Sequence, residues 1–377
     1  MEDAGGHRQT AGADRPPRSR AGDAAADAAR AGGATVLDHW AKPAEEYDTL
    51  AGGKVKQLAT GYTKRYKASE LATVKTGLGA SSSGKKGVIY AWGELPGSTS
   101  TFAPGVQQKL PGTRTLRLST AGGAKWKLDF EQHGGVDESG FPIVEAFYTL
   151  GTPQTLKAGK SYGKTFNTAV FGPRVGSSLG IYREGNGIYG SLPVFTDGKT
   201  HSGSSLYSSV TTTLYRNGAK VSSNSDPLEG AGIFTVAAGD AAYKLTTSVK
   251  RSVKVAAAST RVDASWTFRS KKADLAKLPA SSIRFDAAVG LDSRAPANKK
   301  VSVPVTVQGS AAGSNLKSLS VYVSYDYGQT WKKVTVKNGK IAVTNPAKGK
   351  GISFHAKIAD KKGNKSTISL YNAYYGK

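Results

Sequence analysis

The chain has 377 residues, no cysteine and a formal net charge of +25. Without cysteine there is no disulfide framework and no thiolate metal site, and no stretch approaches the roughly 20 apolar residues of a membrane-spanning helix. The 46 glycines, the frequent Ser and Thr and the scarcity of helix-period stretches favour antiparallel β modules joined by tight turns, and the length allows two or three of them.

The charge is uneven. From residue 241 onward there are 25 Lys and Arg against 6 Asp and Glu. Such a surface attracts polyanions such as nucleic acid, anionic wall polymers or membrane head groups. The plainer reading is a solvated lysine face that keeps the chain soluble. Lys outnumbers Arg there, and no Arg-Gly-rich or RNP-like aromatic motif interleaves with it, so sequence-specific nucleic-acid binding is not expected. The only methionine is Met1; a chain without Cys or internal Met suits an oxidising exterior.

The first 33 residues contain no Val, Ile, Leu, Phe, Tyr or Trp. They cannot bury enough apolar surface to offset chain entropy, so residues 1–34 are expected to form a disordered arm. This segment opens acidic and lacks an apolar core, so it does not read as a secretory signal. Residues 35–75 are expected to be a linker with a short helix, Ser69 serving as N-cap of "ELATVK".

Strand patterns follow from 76 to 270, as one large or two small sandwich modules. In "KWKLDFE", Trp126, Leu128 and Phe130 alternate with Lys127, Asp129 and Glu131, which predicts a half-buried strand. "TTTLYRNGAKV" holds Asn217-Gly218, the strongest short hairpin signal. A connector after "RVDASWTFRS" leads to a final module, 281–377. Its strands and hairpin turns predict an immunoglobulin- or fibronectin-like sandwich. The expected class is therefore all-β, with tandem antiparallel β-sandwiches.

In that last module "SYDYGQTW" has the Ser-x-Asp-x-Gly-x-Thr-Trp pattern of an Asp-box. Ser324, Asp326, Gly328, Thr330 and Trp331 are all explained by turn construction. Asp326 accepts loop N–H groups, Gly328 supplies positive φ, and the Trp331 ring is expected to be buried over the hairpin. A single copy gives no propeller repeat, so the box is read as a hairpin and not an active site. "IADKKGNKST" is a second turn, with Asp360 and Asn364 offering local bonds.

Few residues suggest chemistry. The loop "EQHGGVDESG" gathers His133, Asp137 and Glu138, and "THSGSS" sets Ser202 beside His201. Adjacency in sequence is not nucleophile–base geometry. No histidine pair has metal-ligand spacing, and there is no P-loop. No catalytic residue, metal or cofactor is expected. Trp40, Trp92, Tyr371, Tyr374 and Tyr375 are candidates for a sugar-stacking surface.

From about Thr35 to Lys377 the text resembles the region that follows the catalytic domain in large secreted subtilisin-like serine peptidases of Streptomyces and related actinobacteria. The phrases that carry this include "GKKGVIYAWGELPG", "EQHGGVDESGFPIVEAFYTLGTPQTLKAGKSYGKTFNTAVFGP", "DASWTFRS", "VGLDSRAPANKKVSVPVTVQ", "VYVSYDYGQTWKKVTV" and "HAKIADKKGNKSTISLYNAYYG". The resemblance implies an extracellular, monomeric, non-catalytic region whose partner is the protease domain of its parent. A carbohydrate or polyanionic cell-wall polymer is the alternative partner. The three triad motifs of such a peptidase, D-[ST]-G, H-G-T-H and G-T-S-M-A, are absent from the sequence, so no catalytic role transfers to any residue. The expectation is a fragment or split gene whose protease domain and leader lie upstream.

Overall fold

A computed structural model describes residues 33–42, 45–54 and 64–377. The expected arm over 1–34 lies outside these residues, apart from Gly33 and Ala34, which already belong to a strand. The described chain is all-β, interrupted only by three single-turn 3-10 helices, and its sheets pair into tandem sandwiches.

The first sandwich sets a five-stranded sheet (Gly33–Lys42, Glu45–Lys54, Gly112–Ser119, Leu71–Leu78, Ser161–Phe166) against a seven-stranded one. The latter is centred on Lys125–Val136, flanked by Lys86–Glu94 and Pro142–Thr149. Trp126, Leu128 and Phe130 fill the space between the sheets, as alternation predicts. The Phe130 and Phe166 rings meet across it at 6.0 Å, and Trp126 Nε1 donates to Ser119 O at 2.7 Å. The opposite face is less wet than expected: Asp129 is buried, with Lys127 Nζ 2.9 Å from its carboxylate.

The expected linker over 35–75 is instead structural. Gly33–Lys42 and Glu45–Lys54 form a hairpin in which Trp40 lies opposite Tyr47, their rings stacked at 3.5 Å. "ELATVK" is not a helix. Glu70 ends a 3-10 turn and its carboxylate accepts the Lys67 N–H at 2.6 Å, and Leu71–Leu78 is a strand between two neighbours. Leu71, Ala72, Thr73 and Val74 are all buried. A strand covered on both faces loses its period-2 signature and mimics helical text.

The second sandwich packs Gly180–Gly185, Gly187–Ser191, Phe234–Thr235 and Ala273–Leu278 against Ser209–Arg216, Ala219–Asn224, Ala241–Lys250 and Arg261–Ser270. Asn217 (φ 50°) and Gly218 (φ 86°) make the expected hairpin turn with both residues left-handed. The third sandwich has immunoglobulin-like order. Ser281–Phe285, Lys300–Gly309, Lys340–Thr344 and Val336–Lys337 face Lys365–Gly376, Gly351–Asp360, Leu316–Ser324 and Lys332–Val334. Phe285 stacks on Phe354 at 4.4 Å between the layers.

The boundary expected between 270 and 281 does not separate two sheets. Arg261–Ser270 pairs antiparallel with Lys365–Gly376, from Arg261 opposite Tyr371 to Thr267 opposite Lys365. One nine-stranded sheet therefore runs through both sandwiches. Each covers the other's edge strand, which would otherwise present an unpaired row of backbone groups. Trp266 Nε1 also donates to Ser281 O (2.9 Å), and Ser281 N donates to Ser366 Oγ (3.1 Å).

A buried junction ties in the first sandwich. Arg284 donates to the carbonyls of Gly172 (2.8 Å), Val170 (3.1 Å), Thr196 (3.2 Å) and Asp197. Arg251 donates to Ser259 O, Ala258 O and Ser205 Oγ, its guanidinium held between the rings of Phe171 and Phe195. Burial pulls both guanidinium pKa values down to about 10, which leaves them charged at neutral pH.

Candidate functional site at the seam of two sandwiches

The Asp-box forms the hairpin its sequence predicts. Asp326 takes the Thr330 N–H on both carboxylate oxygens (3.0 and 3.1 Å) and the Thr330 hydroxyl on one. Ser324 Oγ donates to Asp326 Oδ1 (2.6 Å) and accepts from Gly328 N (2.8 Å). Bonds from Ser324 and Thr330 hold the Asp326 carboxyl down at about 2. With its lone pairs turned inward, this carboxylate is occupied by its own loop. Gly328 has φ 82°, and a Cβ there would fall 2.7 Å from the Tyr371 ring. Trp331 departs from expectation. It is half-buried, lying 5.5 Å from the His355 ring and 6.2 Å from that of Tyr371, because the sheet face below it is itself exposed.

The loop tip reaches the preceding sandwich. Tyr327 OH lies 3.2 Å from Thr260 Oγ1, and its ring is 5.2 Å from Tyr371. Tyr371 in turn donates to Asp263 Oδ2 (2.9 Å) across the seam. Asp263 is clasped by Arg261, with Nε at 2.8 Å and Nη2 at 2.7 Å, and accepts from Ser248 Oγ at 2.7 Å. The Arg261 guanidinium lies over the Tyr371 ring at 4.9 Å. His355 sits on the same face, with Nδ1 2.8 Å from Ser369 Oγ, and burial together with Lys357 depresses its pKa.

The arrangement is a polar and aromatic surface, half-exposed, with hydroxyls, one neutralised carboxylate and peripheral lysines. It offers hydroxyl donors, acceptors and ring faces on one side of the sheet, with the Ser369 hydroxyl already engaged by His355. Sequence reading did not single out Arg261, Asp263 or Ser248. Strand patterns in the sequence could not tell which strands meet.

The other candidates do not converge. Trp40 pairs with Tyr47 in the first hairpin, and Trp92 packs on Phe102 at 3.9 Å with Lys127 Nζ over its ring. Tyr374 is core, donating to Asn345 Oδ1 at 2.9 Å, and Tyr375 lies under Arg294. Only Tyr371 reaches the seam. His133 is buried between Gln107 and Glu131, whereas Asp137 accepts Ser139 N and Phe141 N in the hairpin turn, so the three polar loop residues form no common site. His201 Nδ1 meets Asp197 Oδ2 at 2.9 Å, but the adjacent Ser202 Oγ accepts from Arg174. Asp360 closes its turn through Asn364, as expected. Among the described residues no group of three or more His, Asp or Glu is placed to hold a metal ion.

No protein-family model matches the chain, and no curated protein matches it. Among solved structures it is similar to three N-terminal domains of the highly immunogenic outer capsid protein (Hoc) of bacteriophage RB49. That likeness is 6% identical with a TM-score of 0.17, covering 80% of this chain and 96% of that one. The TIE protein of Bacillus anthracis is 11% identical with a TM-score of 0.16, covering 91% of this chain and 56% of that one. At such TM-scores neither likeness carries an argument about this chain.

Proposed function

We propose that the chain is a non-catalytic β-sandwich region serving a secreted subtilisin-like serine peptidase, bracing or positioning its protease domain. It acts outside the cell as part of that parent and has no peptidase chemistry of its own. The observation that best supports a docked neighbour is an apolar corner of the first sandwich. Val136 and Phe141 are 64% and 69% exposed at the tip of the hairpin, and Ile143, Val144, Leu206 and Tyr207 are exposed alongside. The strands meet there, since Leu206 N donates to Glu145 O. Contiguous apolar patches on soluble domains mark surfaces that another domain covers.

The test uses the intact chain as bait in culture filtrate of its source organism, read out with a fluorophosphonate serine probe. The expected result is capture of a separate, probe-labelled serine peptidase, with capture lost in Val136→Asp/Phe141→Asp. Labelling of the chain itself, or capture indifferent to that double substitution, overturns the reading.

A second reading is a stand-alone extracellular module that binds a carbohydrate or polyanionic wall polymer. It is favoured by the concentration of positive charge after residue 241 and by the open sheet face at the seam.

A further inference from the structure

The outer face of the nine-stranded sheet is built from rows that cross the seam. In one row Thr213, Thr246, Ser265, Thr367, Lys357 and Ser320 are successive cross-strand neighbours. In the next, Thr211, Ser248, Asp263, Ser369, His355 and Tyr322 are. Residues two apart on a strand share a face, and strands lie about 4.8 Å apart, so the rows are parallel lines of regularly spaced hydroxyls. A shallow depression of about 320 Å³ follows them where they cross from the second sandwich into the third. Ser265 Oγ and Thr367 Oγ1, 2.6 Å apart, bridge the seam on its floor.

The charges on this face are one-sided. By strand parity Lys244, Lys250, Lys357 and Lys365 project from the same side as the hydroxyls, and all are exposed. Asp263 is the single carboxylate among the residues of these rows, and Arg261 neutralises it. An occupant must therefore bring many hydroxyl or ether oxygens and net negative charge along an extended chain. A nucleic acid supplies the charge, but it gains most from exposed stacking platforms, and the central ring here, Tyr371, is covered by Arg261.

We propose that this face binds an acidic polysaccharide laid across the strands, its hydroxyls against the Ser/Thr rows and its anionic groups against the flanking lysines. The inference rests on the second reading above and specifies its ligand and surface.

The experiment measures binding of the intact chain to fluorescein-labelled polygalacturonate near physiological salt. Polyglutamate, dextran and an oligothymidylate serve as comparators. Polygalacturonate is expected to bind at least about tenfold more tightly than the other three. The charge reversal Lys244→Glu/Lys357→Glu/Lys365→Glu is expected to weaken it about tenfold or more. Thr246→Val/Ser265→Val/Thr367→Val is expected to weaken it about fivefold while leaving polyglutamate binding and Tm unchanged. The remote reversal Lys299→Glu/Lys348→Glu/Lys350→Glu is expected to stay within about twofold. Equal binding of polyglutamate, with no effect of the valine variant, overturns this inference and leaves general polyanion attraction. Tightest binding of the oligothymidylate overturns it in favour of nucleic acid. No binding of any polyanion overturns both this inference and the reading beneath it.

Discussion

Two regions join the sandwiches, and they do so by opposite means. At the buried junction Arg251 and Arg284 spend their donors mostly on backbone carbonyls, away from water. At the seam a main-chain ladder does the joining, and the side chains above it remain half-exposed. The first arrangement is costly to disturb because any lost donor leaves buried acceptors bare. The second tolerates side-chain change, since each exposed hydroxyl or ion pair contributes little. The difference separates a sealed contact from an open one: the junction fixes the modules, and the seam leaves a polar face exposed.

The largest effect is expected at the junction. Arg284→Met removes the donor to the carbonyls of Gly172, Val170, Thr196 and Asp197 and should cost about 3–5 kcal/mol in urea unfolding. A cost below about 1 kcal/mol would mean that the junction is not a structural lock.

At the seam the costs are smaller. Gly328→Ala places a methyl group against Tyr371 in a left-handed backbone, for an expected loss of about 1–3 kcal/mol. Asp263→Asn and Tyr371→Phe sit on strands of different sandwiches yet share a bond. A double-mutant cycle should give a coupling of about 0.5–1.5 kcal/mol. Strict additivity would sharpen the comparison against the seam, making its side chains bystanders to the ladder.

The smallest effect is pH-dependent. The folded Asp326 carboxyl is held down at about 2, against 3.8 for the free group. Its contribution is present in full above 3.8 and is lost as pH falls through about 2. The melting-temperature deficit of Asp326→Ala should therefore be constant near neutral pH and shrink in strong acid. A deficit that persists unchanged at the lowest pH would contradict this carboxylate-centred loop.

Local patterns were legible in the sequence, and pairings between distant strands were not. Trp126, Leu128 and Phe130 announced an inward face, and Asn217-Gly218 announced a turn. The Asp-box was read down to its bonding residues because those bonds span at most four positions. Leu71–Val74 misled because both faces of that strand are covered. Parity along the last strand separates Tyr374, inward, from Tyr371 and Tyr375, yet composition alone grouped them as one aromatic surface. The seam was invisible because "RVDASWTFRS" and "KSTISLYNAYYG" each read as ordinary half-buried strands. Which edges meet is decided by the packing of whole modules.

The shared sheet is tested most directly by native-state hydrogen exchange of the seam-facing amides between Arg261 and Thr267. If the ladder to Lys365–Tyr371 joins the sandwiches, these amides exchange only with global unfolding, as slowly as those facing Ala241–Lys250 on the other side of the same strand. Exchange at the rate of an open edge strand, with the opposite side still protected, would contradict the continuous sheet.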